Sequence, residues 1–133
     1  MKGKYFTLNE LTRSDTARIK GIDNTPDEQI IYKLEELVRN VLDPVREMWG
    51  KPIMVNSGYR CAELNSAVGG KRTSQHLKGE AADITTGSKE GNRKLFLMIG
   101  NSDIPIDQMI DESDYAWIHV SYSERKRGEV LHL

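Results

Sequence analysis

Two histidines and an aspartate carry the chemistry open to this sequence. The run Ser74-Gln75-His76-Leu77-Lys78-Gly79-Glu80-Ala81-Ala82-Asp83 sets a histidine and an aspartate seven positions apart around a small-residue bend, and Trp117-Ile118-His119-Val120-Ser121 supplies a second histidine inside an apolar run. A catalytic zinc ion usually takes three protein ligands, nitrogen or oxygen donors among them, and keeps a fourth position open for water. His76, Asp83 and His119 make that set, which names Zn2+ as the expected cofactor. The chain has three histidines, and the third, His132, stands one residue from the end and reads as ordinary. A carboxylate beside two imidazoles leaves the ion acidic enough to activate water near neutral pH, so the expected reaction class is hydrolysis.

Such residues need elements that aim them. Thr25-Pro26-Asp27-Glu28 reads as a helix start, with Thr25 as cap, Pro26 in the first helical position and Glu28 completing a capping box. Ile30, Leu34, Leu37, Val41, Val45 and Met48 then recur at steps of three or four, one apolar face at helical period. Pro44 interrupts that face and predicts either a kink or a restart capped by Asp43. Before it, Leu8, Leu11, Ala17 and Ile19 suggest a packed amphipathic arm. Pro52 to Asn56 reads as a strand that delivers Ser57 to Arg60. Ala62 to Val68 reads as a short helix closed by Gly69-Gly70, and Lys71 to Thr73 as loop. Glu80 to Ile84 reads as a second strand. Ser88 opens a helix through Leu95, Met98 and Ile99 that Gly100 ends. Gln108 to Ile110 and Ala116 to Ser121 are two further strands, with Val130-Leu131 a last edge. Helices gathered early and strands gathered late predict an α+β fold, an antiparallel sheet carrying the zinc site and packed with helices.

At 133 residues the chain is the size of one domain, 1–133, able to bury a core without staples. A net charge of −1 excludes the basic footprint of a nucleic-acid-binding domain; Arg125-Lys126-Arg127 reads as a solvated surface run. The single cysteine, Cys61, rules out an internal disulfide. The opening Met1-Lys2-Gly3-Lys4-Tyr5-Phe6-Thr7 lacks an apolar core of signal-peptide length, and no stretch is apolar enough for a membrane span. The expectation is a soluble monomer made in the cytoplasm, with no membrane insertion.

Ser57-Gly58-Tyr59-Arg60, Leu64-Asn65, Val68-Gly69-Gly70, the Ser74–Asp83 run, Asp107-Gln108 and Trp117–Ser121 stand in an order that resembles the zinc D-Ala-D-Ala carboxypeptidase family of peptidoglycan metallopeptidases, over about residues 25–123. That family includes phage endolysins and shares its fold with the hedgehog domain. The resemblance implies His76, Asp83 and His119 as zinc ligands, Arg60 as the arginine that meets substrate or steadies charge on the carbonyl oxygen, and Ser74 and Gln108 as pocket residues. Tyr59 stands with them as a candidate substrate contact, although it and Trp117 read first as packing. Many members of the wider group carry an acidic general base three residues before the last histidine, where this chain has Ala116. Glu112 and Asp114 are the acids left nearby, Glu112 slightly favoured. The implied activity is hydrolysis of a peptide bond in peptidoglycan stem peptides or crosslinks, in the manner of a phage or prophage endolysin acting on the wall after release. The alternatives are a D-Ala-D-Ala carboxypeptidase, a non-catalytic zinc-stabilised wall-binding domain and a structural part of a phage tail tip.

Overall fold

In the computed structural model, which describes residues 3–133, the apolar stripe from Ile30 is helical, but Asp27 rather than Thr25 opens it. The Asp27 carboxylate accepts from the Ile30 N–H at 2.8 Å. Thr25 instead turns back on Asp23, donating from its backbone and its hydroxyl at 3.0 and 2.6 Å. A carboxylate answers both the unpaired N–H groups and the positive end of the helix dipole, so it displaces the hydroxyl as cap, and Pro26 falls just outside the helix. Helix α3, Glu28–Leu37, widens into a π turn at Val38–Leu42 and continues as α4, Asp43–Trp49. The cause is Pro44: it has no N–H, and its ring would strike the carbonyl four residues back. One wide turn ahead of it relieves the clash without breaking the rod.

Asp43 is therefore helical rather than a new cap, and its carboxylate accepts from the N–H groups of Lys4 and Tyr5 at 2.8 and 3.1 Å. The wide turn also broadens the buried face. Leu34, Leu37, Val38, Val41, Leu42 and Val45 are all fully buried, each contributing about 1.5–3 kcal/mol.

The chain before α3 is an arm of two short helices, α1 (Leu8–Thr12) and α2 (Asp15–Lys20). Thr7 and Glu10 form a reciprocal capping box on α1, and Leu11 and Ala17 face the interior. Ile19, expected in the same patch, is 74% exposed, so the apolar face ends at Ala17.

Five strands form one sheet in the order β1-β2-β4-β3-β5, with β1 Met54–Ser57, β2 Ala81–Thr85, β3 Gln108–Glu112, β4 Trp117–Ser121 and β5 Glu129–His132. The first three pairings are antiparallel, but β5 runs parallel to β3, so the sheet is mixed where a wholly antiparallel one was expected. Chain geometry dictates this. β4 ends beside the start of β3, and a short loop that crosses to the far side of β3 must begin its strand at that same end. The α+β class stands.

A short helix, α5 (Ala62–Ala67), follows β1. Alternation divides the sheet's two faces. Ile84, Met109, Ile118 and Val120 point to the helices and are fully buried, joined by Leu95, Phe96 and Ile99 of α6 (Lys89–Gly100), which Ser88 caps as expected. Asp83 and His119 lie on the opposite face. Among the described residues no helix is long and apolar enough to cross a membrane.

Candidate metal centre

The register of β2 against β4 places Asp83 directly across from His119, so both side chains rise from the same face. The distance from His119 Nδ1 to Asp83 Oδ1 is 3.0 Å. His76 arrives from outside the sheet, on a single 3₁₀ turn at Gln75–Lys78. Ser74 starts that turn by accepting the His76 N–H on its hydroxyl at 3.2 Å. Gly79 ends it at φ +71°, a left-handed conformation that suits glycine, and a Cβ there would press to 3.0 Å from the Ile30 carbonyl oxygen. The turn is thereby seated on α3, and the His76 ring is buried with its Nε2 3.3 Å from Asp83 Oδ1. The two imidazoles meet edge to face, centroids 5.1 Å apart.

One ligand atom from each of His76, Asp83 and His119 lies within 4.8 Å of the others, so the three could hold a metal ion. The donor chemistry fits. His76 Nδ1 lies 2.6 Å from the Gly58 carbonyl, which can only accept, so this nitrogen carries the ring proton. In the neutral imidazole Nε2 is then a bare lone pair facing a carboxylate oxygen, a repulsive contact unless a cation sits between them. The 3.3 Å separation also matches the edge of about 3.3 Å that two ligands at about 2.0 Å subtend at a tetrahedral ion. Burial raises the Asp83 pKa, and the hydrogen bonds and charge that protonated His119 and His76 would supply outweigh it and hold the carboxyl below its ordinary value; with the rings neutral, a cation between the ligand atoms would act in the same direction.

The backbone that carries Arg60 is tied to the same turn. The Arg60 N–H donates to the His76 carbonyl at 3.1 Å, and the Tyr59 N–H to the Leu11 carbonyl at 2.8 Å. Gly58 permits this approach, because a Cβ at that position would overlap the Leu11 carbonyl oxygen. The Arg60 guanidinium is partly buried. It reaches Ser74 Oγ at 3.5 Å, while its Nε is buried without a hydrogen-bond partner. Burial lowers its pKa and the attraction of Asp83 opposes the shift, which places the guanidinium in the field of the Asp83 carboxylate.

The remaining candidates fall in different places. Ser74 joins the cluster through His76 and Arg60. Tyr59 packs its ring against the core, where burial raises the phenol pKa. Gln108 shares the His119 face, but its amide is turned to β5, donating to Glu129 at 2.6 Å. Glu112 lies on β3 two residues from Ile110, the direct cross-strand partner of His119, so its side chain rises from the ligand face. Among the described residues it has no ion-pair partner. Asp114 is elsewhere: in the β3–β4 turn at φ +55°, with a side chain 87% exposed and 3.9 Å from Lys89.

Two features were not read from the sequence. Asp107, noted only as part of a matched block, is fully buried and accepts from Gln75 at 2.9 Å, Arg125 at 3.1 Å and three N–H groups of Arg127 at 2.9–3.1 Å. Arg125 and Arg127 thus neutralise a buried anion instead of forming a free basic patch, and Gln75 carries the restraint to the residue beside His76. His132 bonds Asp111 at 3.3 Å and leans on Phe96, a packing role.

A family model described as Peptidase M15 matches residues 4–121. Over 42 residues the chain is also 50% identical to the Zinc D-Ala-D-Ala carboxypeptidase of Streptomyces albus G, a match that covers 32% of this chain and 16% of that relative. The family match begins well before residue 25, taking in the arm that backs Gly58 and Tyr59, and it spans all three residues of the His76, Asp83 and His119 cluster. The chain belongs to the peptidase M15 family.

Proposed function

We propose that this chain is a zinc-dependent peptidase acting on peptide bonds of bacterial peptidoglycan, with His76, Asp83 and His119 holding the ion. The observation that carries the reading is the convergence of these three side chains, from a 3₁₀ turn and two paired strands, with the His76 tautomer fixed by Gly58. When bound, zinc would polarise a carbonyl and lower the pKa of water. The chain's own residues supply the rest. The Gly58 carbonyl and the Ser74 cap orient His76. Arg60, permanently charged, takes a substrate carboxylate or the developing negative charge on the scissile carbonyl oxygen. Glu112, on the same face as Asp83 and His119 and without an ion-pair partner among the described residues, is the proton acceptor. Carboxylates do this work when they stand within hydrogen-bond reach of the proton they abstract.

Within this class the preferred reading is an endolysin-type hydrolase that cuts stem peptides or crosslinks and reaches the wall after release by a membrane-permeabilising partner. Terminal D-alanine removal is the second reading. It draws on the name of the Streptomyces albus G relative and on the partly buried Arg60, which suits a free C-terminal carboxylate. Mass spectrometry of purified peptidoglycan fragments incubated with zinc-loaded protein separates them: internal or crosslink cleavage supports the first, release of D-alanine alone the second. Stoichiometric zinc with no cleavage would leave a binding domain. Added to cells with an exposed wall, the protein is expected to cause lysis that His76→Ala abolishes.

A further inference from the structure

The Arg60 head group is held weakly. Among the described residues its side chain makes one hydrogen bond, to Ser74, 3.5 Å long, and its Nε has no partner. The direction in which it points must come from its backbone, and one side chain grips that backbone on both sides. Asn24, in the loop between α2 and α3, donates from Nδ2 to the Tyr59 carbonyl at 3.0 Å and accepts on Oδ1 from the Cys61 N–H at 2.8 Å. Its other Nδ2 hydrogen goes to the Thr12 carbonyl at 2.8 Å, anchoring the clamp to the end of α1. Asp23 stiffens the loop by accepting from Thr25.

We infer that Asn24 is a positioning residue for Arg60: its amide pairs with the carbonyl before Arg60 and the N–H after it, and so sets the angle at which the guanidinium faces substrate. The inference rests on the reading of Arg60 as the group that meets substrate. The chemistry required is specific. Two donors and one acceptor are used at once, which an amide of this length provides and a carboxylate of the same shape does not. Two further backbone ties of the segment, from the Tyr59 N–H to the Leu11 carbonyl and from the Arg60 N–H to the His76 carbonyl, do not involve Asn24, so the His76 turn should keep its place when the clamp is removed.

The test compares Asn24→Ala, Asn24→Asp, Arg60→Ala, the double variant Asn24→Ala/Arg60→Ala, and a core-trimming control, Ile99→Val. Each is assayed for hydrolysis of soluble stem peptides, for zinc affinity and for amide hydrogen exchange. Asn24→Ala is expected to lower kcat/KM by about 10- to 100-fold, the usual cost of a misaimed group. Zinc affinity should change by less than the roughly tenfold that marks the loss of a ligand-orienting bond. The Cys61 amide should exchange faster in Asn24→Ala and stay protected in Asn24→Asp, which keeps the acceptor. The double variant should be no worse than Arg60→Ala alone, and Ile99→Val should retain turnover. An additive double variant, a parallel loss of zinc, or a crippled Arg60→Ala beside a normal Asn24→Ala would overturn the inference alone. Full turnover in Arg60→Ala would overturn the reading of Arg60 and this inference with it.

Discussion

His76 donates its Nδ1–H to the Gly58 carbonyl at 2.6 Å, and this one bond leaves the nitrogen nearest Asp83 free to bind a cation. It predicts one zinc per chain in protein titrated with the metal. His76→Ala and His119→Ala should each weaken zinc binding by more than the roughly hundredfold that losing an orienting neighbour can cost, and should abolish hydrolysis. Elemental analysis with isothermal titration reads the outcome; tight stoichiometric zinc in either variant would mean that the ligands are misassigned.

Arg60→Lys keeps the charge and discards the planar fork. Zinc affinity should stay near that of the parent while kcat/KM falls by about 10- to 100-fold, equivalent to about 1.4–2.7 kcal/mol of transition-state stabilisation. Loss of zinc in this variant would make Arg60 a structural prop of the His76 turn.

The two acids separate by position. Glu112→Gln should lower the rate by about a hundredfold or more, the scale of general acid–base catalysis, with zinc retained. Asp114→Asn should be close to normal, because that carboxylate stands in an exposed turn near Lys89. A normal Glu112→Gln would remove the present choice of base.

Asp107 gives a pH signature. Burial alone would raise its pKa, but hydrogen bonds from Arg127, Ser123 and Gln75 hold it well below the ordinary carboxylate value. A folded-state pKa below the unfolded value of about 3.9 stabilises the fold at pH above that value, and the contribution begins to fall below about pH 4 and is fully lost only as pH passes below the depressed folded-state value. Asp107→Asn should therefore cost about 2–3 kcal/mol at neutral pH, on the scale of hydrogen bonds to a charged group, and about 1 kcal/mol less near pH 3, where the unfolded carboxyl is already largely protonated. Urea unfolding at the two pH values checks this. An equal penalty at both would show that the arginines gain little from the charge itself.

The grouping of His76, Asp83 and His119 was legible because its information is local: residue types at fixed spacing, in segments whose alternation also marks their strands. The helix α3 and the Ser88 cap were legible for the same reason. What sequence patterns missed are choices among equivalent chemical groups. Thr25 and Asp27 can both cap a helix, and only the turn at Asp23 decides between them. The π turn follows from Pro44, but a proline is equally consistent with a kink or a break. The parallel strand β5 depends on which side of β3 the chain crosses to, which no periodicity records. Asp107 and Asn24 act over separations of 32 and 37 residues, and a buried polar side chain carries no mark in sequence of the partner it will find.

The atoms of Leu11 nearest to Gly58 are main-chain atoms, and this limits how the joint can vary. Where side chains meet, a loss of volume on one partner can be repaired by a gain on the other, and the two positions drift together. At this joint there is nothing to exchange. Residue 11 can change type freely as far as its carbonyl is concerned, whereas any Cβ at residue 58 collides with that carbonyl whatever stands opposite. The arm and the segment leading to Arg60 are thus held by a constraint that leaves no correlated pair for sequence comparison to detect, and a search for coevolving positions would pass over the contact that seats the His76 acceptor.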